Sequence, residues 1–322
     1  MDYRDPLFSV IMFFVIILIS VLTTIALGKL REYLRNKRLN EFLEDFEYIK
    51  IDNLNLDNAS IDALYLLAKA YEKEGDFEKS LKIYLLISKN VQSIEILKHI
   101  AILYYKAGFL EKAKKTAYQI LHTRPRDTQT LKLLILIDEK LNNLNEIVNV
   151  LEIFEELERP LLEEKAYALF RLTKKNNCNI EFCDDVKTIH DVYKKYPFIK
   201  REYLEELFQT NPIKAYELIQ KDEIYKYLDL YWYREDIPNN EKYKNILAAK
   251  NHFEYNEKGP FEIEILKQLK ENIAELEFEY MCTQCKKIFP LYNTRCPNCN
   301  TLFKQKVIFN LIEKKDLKNI EF

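Results

Sequence analysis

Residues 61–87 read IDALYLLAKAYEKEGDFEKSLKIYLLI. Apolar residues recur at three- and four-residue spacing on both sides of Gly75-Asp76, which predicts two amphipathic helices joined by a tight turn. A shift of 33 positions carries Leu64, Leu67, Ala68, Tyr71, Gly75, Ser80, Tyr84 and Ile87 onto Leu97, Ile100, Ala101, Tyr104, Gly108, Ala113, Ala117 and Ile120. Small residues return where two helices must approach closely, and large ones where the gap is filled. Glycine returns where the turn needs a positive φ. Pro125 closes the second unit.

A helix–turn–helix unit repeated at this period is the tetratricopeptide pattern. A third unit keeps the apolar spacing in Leu131, Leu134, Ile135, Ile147, Leu151 and Phe154. Asn142 replaces the turn glycine there, and asparagine is the next-best residue for a left-handed turn. Pro160 closes this unit as Pro125 closed the one before. Helical periodicity continues through EEKAYALFRLTKK, IKREYLEELFQ, IKAYELIQKDEIYKYLDLYWYR and EIEILKQLKENIAELEFEY, with the repeat signature worn away. These stretches extend the stack as degenerate helical pairs. Stacked pairs curve and offer a concave groove to partner peptides or helices. The run Tyr225, Tyr227, Tyr231, Trp232 and Tyr233 is either core packing or part of a partner surface.

Bulk composition agrees with a helical chain: 322 residues include only 4 glycines and 9 prolines. A net charge of −2, with lysines interleaved among acids, leaves no electrostatic footprint for nucleic acid.

Leu7 to Leu27 (LFSVIMFFVIILISVLTTIAL) carry no charge. As a helix they would run about 31 Å, close to the ~30 Å hydrocarbon core of a bilayer. Pro6 precedes the first turn and Gly28 follows the last. The mixed start (Asp2, Arg4, Asp5), the long apolar core and the lack of a small-residue cleavage site point to an uncleaved anchor over a signal peptide. Lys29, Arg31, Arg35, Lys37 and Arg38 crowd one flank against Arg4 on the other. Positive flanks stay inside, so the bulk of the chain is expected in the cytoplasm with the N-terminus outside.

Cys282-Thr-Gln-Cys285 and Cys296-Pro-Asn-Cys299 are two C-x-x-C pairs separated by ten residues. Each pair turns the backbone so that two sulfurs reach one ion, and the spacer brings the pairs together. In a reducing compartment such pairs are metal ligands rather than disulfides. Cys282, Cys285, Cys296 and Cys299 are therefore expected to hold one structural metal ion, zinc before iron. With all four positions filled by protein, no site is left for hydrolytic chemistry. Cys178 and Cys183 stand apart as reduced thiols, and His99, His122, His190 and His252 are scattered. No P-loop, GxGxxG, G-x-S-x-G or HExxH occurs, and no carboxylate pair stands out, so no enzyme activity is expected.

In order of parts the chain resembles the lipopolysaccharide assembly protein B family of Gram-negative inner membranes: an anchor, cytoplasmic tetratricopeptide repeats, then a rubredoxin-type module. The closest likeness is EYMCTQCKKIFPLYNTRCPNCNTL, with its C-x2-C-x10-C-x2-C spacing, an aromatic before the first cysteine, Leu291-Tyr292 in the spacer and a C-P-x-C second pair. Knuckles of that type usually carry glycine after the second cysteine of a pair, where this chain has Lys286 and Asn300. The resemblance implies a role in limiting lipid A synthesis by presenting its committing deacetylase to a membrane-bound AAA+ protease. A generic inner-membrane scaffold for another envelope or secretion complex, and a rubredoxin-type electron carrier, remain open.

The expected fold is thus an all-α tetratricopeptide-type solenoid with an N-terminal transmembrane helix and a small C-terminal rubredoxin-like or zinc-ribbon β module. Its expected divisions are a non-cytoplasmic end (1–6), the anchor (7–28), a juxtamembrane helix and linker (29–60), repeats (61–160), degenerate pairs (161–277), the metal module (278–304) and a tail (305–322). Expected partners are proteins on the repeat surface and the membrane at residues 7–27, with no nucleic acid and no small-molecule substrate.

Overall fold

The computed structural model describes residues 56–175, 186–251, 253–269 and 273–314. The anchor at 7–28, its flanks, Cys178, Cys183, His252 and the last eight residues of the tail lie outside the described residues. Among the described residues, no helix is long and apolar enough to cross a membrane. The chain divides into two compact units after Pro125.

The first unit holds two helical pairs, α1 (Asn58–Glu74) with α2 (Phe77–Asn90) and α3 (Ile94–Lys106) with α4 (Leu110–Thr123). Asp57 caps α1 by accepting from the Ser60 amide at 3.0 Å, and Asp76 caps α2 through the Lys79 amide at 3.1 Å. Gly75 and Gly108 turn the chain at φ 86° and 83°. In both turns the next amide bonds a carbonyl five residues back, Asp76 N to Tyr71 O at 3.0 Å and Phe109 N to Tyr104 O at 2.8 Å. That bond closes a Schellman turn, which satisfies carbonyls the helix end would leave bare. The helices of the first pair cross at Ala68 and Ser80, both fully buried, where Ser80 Oγ donates to Ala68 O at 2.9 Å. Ala101 and Ala113 repeat this crossing in the second pair.

The second unit opens with α5 (Thr128–Leu141) and α6 (Leu144–Glu156), the third repeat. Asn142 sits at φ 62°, and Asn143 N bonds Asp138 O at 2.8 Å, so the turn has the geometry of the glycine turns. Leu131, Leu134, Ile135, Ile147, Leu151 and Phe154 are all buried, as their spacing requires. A further left-handed turn follows at Glu158, φ 55°, which the sequence did not signal. The mostly helical, repeat-like arrangement continues as α7 (Leu162–Lys174), α8 (Ile189–Lys195), α9 (Lys200–Thr210), α10 (Pro212–Leu218), α11 (Lys244–Asn251) and α12 (Phe261–Gln268), with 3-10 turns at Pro197–Ile199 and Lys221–Leu230.

Two expectations need correction. The degenerate pairs do not run to 277: AELEFEYMC is a strand, β1 (Ala274–Cys282), rather than a helix end. Nor does the metal module stop at 304, because β3 (Gln305–Glu313) pairs antiparallel with β1 from Ala274↔Glu313 to Cys282↔Gln305. With β2 (Ile288–Phe289) on the other side of β1, the sheet order is β2-β1-β3. The start of the expected tail is therefore an integral strand. Leu276, Phe278, Phe309 and Leu311 share the sheet face that packs on the helical core.

That core also decides the aromatic run. Tyr227, Tyr231 and Trp232 are buried, and Tyr225 packs against them, so the packing reading holds for these four. The rings of Tyr216, Tyr231 and Tyr243 meet edge-to-face with centroids 5.3–5.8 Å apart. Each hydroxyl finds an acceptor, as buried tyrosines require: Tyr231 donates to Ile224 O at 2.8 Å, Tyr243 to Tyr216 O at 2.8 Å, and Tyr216 to Asp236 Oδ1 at 2.9 Å. Only Tyr233 of the run is exposed.

Candidate metal centre

Cys282 ends β1, and Cys285 follows in a turn; Cys296 and Cys299 occupy a second turn before β3. The two turns are built alike. Each first cysteine donates its amide to a carbonyl five residues on, Cys282 N to Lys287 O and Cys296 N to Thr301 O, both at 2.9 Å. Each also accepts at its carbonyl from an amide four residues on, Lys286 N and Asn300 N, again at 2.9 Å. This folding points the amides inward. Those of Gln284 and Cys285 bond the Cys282 sulfur, those of Asn298 and Cys299 bond the Cys296 sulfur, and that of Lys287 bonds the Cys285 sulfur.

The four sulfurs lie within 4.8 Å of one another. Cys282 Sγ is 3.6 Å from Cys299 Sγ, and Cys285 Sγ is 3.7 Å from Cys296 Sγ. Thiolates held tetrahedrally at ~2.3 Å from one ion stand about 3.8 Å apart. All four are free thiols, and their spacing fits a shared ion. The cluster can therefore bind a metal ion, and zinc and iron both take four thiolates. Cys282 and Cys296 are buried, while Cys285 and Cys299 are half-buried, so one side of the site approaches the surface.

The electrostatics favour a cation. Burial pushes the Cys282 thiol up, but the Cys285 and Gln284 amides and the Thr301 hydroxyl outweigh it and bring it down to about 6. Burial pushes Cys296 up to about 12, and the neighbouring Cys299 and Cys282 sulfurs add to the rise. One thiol thus ionises readily, and its charge opposes ionisation of the last. A positive ion among them removes that conflict.

The residues around the knuckles anchor them to helices of the same unit. Arg295, adjacent to Cys296, donates from Nε to Glu139 Oε2 of α5 at 2.5 Å and forks onto Glu164 of α7 at 3.0 and 2.7 Å. Its guanidinium also lies over the Tyr167 ring and donates to Asn300 O at 2.9 Å. Tyr292 donates to Glu202 Oε1 of α9 at 2.6 Å, and Tyr280 donates to Asp229 Oδ2 at 3.0 Å. Asp229 is paired in turn with Arg201, whose guanidinium stacks 4.0 Å from the Tyr292 ring centroid. Lys304 pairs with Glu163 at 2.9 Å.

All four predicted ligands are brought together. Cys178 and Cys183 fall outside the described residues, and among those described no other group of His, Cys, Asp and Glu is arranged to hold an ion. His99 and His190 are used locally, bonded to Tyr65 at 3.3 Å and Tyr203 at 2.9 Å. Sequence reasoning missed the pairing of Arg295 and Tyr292 with their carboxylates, because each pair joins positions far apart in the chain. Compared with models of known protein families and with curated proteins, the chain matches none.

Proposed function

We propose that this chain is a membrane-tethered, non-enzymatic adaptor of the kind it resembles, the lipopolysaccharide assembly protein B family. In this reading a structural metal ion, zinc rather than iron, fastens the C-terminal module to helices that carry protein partners. The observation that carries it is the closed set of Cys282, Cys285, Cys296 and Cys299 seated on a helical scaffold. A site with four protein thiols holds structure and leaves no place for a reacting water.

Residues 7–27 span the inner membrane, with the N-terminus outside and the bulk in the cytoplasm; the uncharged run and its basic flank support this. The repeats present the committing deacetylase of lipid A synthesis to a membrane-bound AAA+ protease. The test is to crosslink the protein in its native membrane, identify what co-purifies, and follow the deacetylase after depletion. The expected result is a protease among the partners and a longer-lived deacetylase. An unchanged lifetime with no protease among the partners overturns this role in favour of a scaffold for another envelope complex.

A second reading, one-electron transfer by a rubredoxin-type iron, draws on the half-buried Cys285 and Cys299, which bring the site near the surface. A colourless protein that carries zinc when purified without added metal removes it.

A further inference from the structure

The helical face beneath the four-cysteine module is acidic, and the groups the module sets against it are donors. The helices contribute Glu139, Glu163, Glu164, Glu202 and Asp229. The module answers with Arg295 on Glu139 and Glu164, Lys304 on Glu163, Tyr292 on Glu202, and Tyr280 on Asp229. Glu202 is 2% exposed, and its second carboxylate oxygen has no partner, so it depends heavily on the bond from Tyr292. Apolar cover joins this polar seam: Phe303 of the module packs on Tyr167 of α7 and on Phe198, with centroids 6.3 and 5.4 Å apart.

The donors are set by the knuckles. Arg295 immediately precedes Cys296, Tyr292 lies in the spacer between the pairs, Tyr280 is two residues before Cys282, and Phe303 and Lys304 follow Cys299. A module of about forty residues is too small to keep a core without a staple, and structural metal supplies that staple. Asp229 keeps Arg201 and Glu139 keeps the Tyr167 hydroxyl, both from the helices themselves, while Glu163, Glu164 and Glu202 are served by Lys304, Arg295 and Tyr292 of the module.

We propose that metal occupancy controls whether this acidic face is covered: the loaded module lies on it, and the emptied module releases it. The inference rests on the metal reading above and adds a regulatory consequence. Metal loading then sets both the fold of the module and the surface that helices α5, α7 and α9 show to other proteins. Released, that surface is matched to a basic segment.

The test uses the full chain in detergent, compared before and after stripping with a chelator, with bound metal measured in both states. Amide exchange is followed across 162–174 and 200–210, with 58–123 as internal reference. Stripping is expected to speed exchange in the two helical segments by roughly tenfold or more, and to leave the reference unchanged. Arg295→Ala is expected to keep its metal and to speed exchange at 162–174 to a smaller extent. A loaded protein that loses its ion while 162–174 and 200–210 exchange as before overturns the inference and leaves the metal reading standing. A protein that binds no metal at all sinks both.

Discussion

Lys286 and Asn300 adopt the same left-handed backbone conformation, φ 63° and 59°, each one residue past the second cysteine of its pair. Neither is glycine, yet both amides donate back to the first cysteine's carbonyl at 2.9 Å. The knuckle geometry is therefore imposed on side chains that resist it, lysine more than asparagine.

Lys286→Gly is accordingly expected to stabilise the module by about 1 kcal/mol and Asn300→Gly by roughly 0.5 kcal/mol. Denaturation of the metal-loaded protein measures this. A loss of stability in both variants would show that the side chains contribute more than the strained backbone costs.

The glycine turns of the repeats carry the opposite sign. Gly108→Ala is expected to cost about 1–2 kcal/mol, since φ 83° is strained for any residue with a Cβ. Asn142→Gly, at a turn already left-handed, is expected to stay within about 0.5 kcal/mol of the parent. Asn142 Oδ1 also accepts from the Arg171 and Lys175 side chains, so Asn142→Ala is the control: a variant no less stable than Asn142→Gly would contradict the shared turn geometry.

How far the sequence was legible follows from these positions. The turns at Gly75, Gly108 and Asn142 and the four cysteines were readable because each depends on residues close in the chain. Strand β1 was not read, although Leu276, Phe278 and Tyr280 alternate with Glu275, Glu277 and Glu279. Alanine, leucine and glutamate favour helices, and that propensity masked the period of two. What settles the strand is β3, whose pairing partner lies beyond both knuckles. The junction of Arg295 with Glu139 and Glu164 spans 156 and 131 positions, and no local pattern reports such a contact. The aromatic run from Tyr225 was open to a core or a surface reading, and all of it but Tyr233 packs into the core around Tyr216 and Tyr243.

Arg295→Lys tests that junction. Lysine keeps the charge but cannot fork onto Glu164 while bonding Glu139. With Arg295 and both carboxylates only slightly exposed, the expected loss is about 2 kcal/mol in stability, with metal retained. Full stability in this variant would mean that the fork contributes nothing beyond charge.

Glu202 supplies a pH dependence. Burial holds its carboxyl above the usual carboxylate range, with the Tyr292 bond pulling it partly back. A raised folded value means that the protonated form suits the fold, so stability is lost as pH rises from the ordinary value through the folded one. Glu202→Gln removes the charge and keeps an acceptor for Tyr292. The variant is expected to be about 1 kcal/mol more stable than the parent at pH ~7.5, with the gap closing near pH ~4. Thermal melts at both values measure it, and a gap that widens on acidification would reverse the sign.

Cys282 and Cys296 are the buried pair among the four clustered cysteines. Cys296→Ser is expected to abolish metal binding and unfold β1–β3, while residues 58–123 keep their helicity. Metal analysis with circular dichroism checks this, and a serine variant with full occupancy would remove Cys296 from the ligand set.

X-ray absorption at the metal edge of protein purified without added metal tests the central claim most directly. The account predicts zinc with four sulfur neighbours at ~2.3 Å and no nitrogen or oxygen in the first shell. Protein free of transition metal, or an ion bound partly by nitrogen or oxygen, would contradict it.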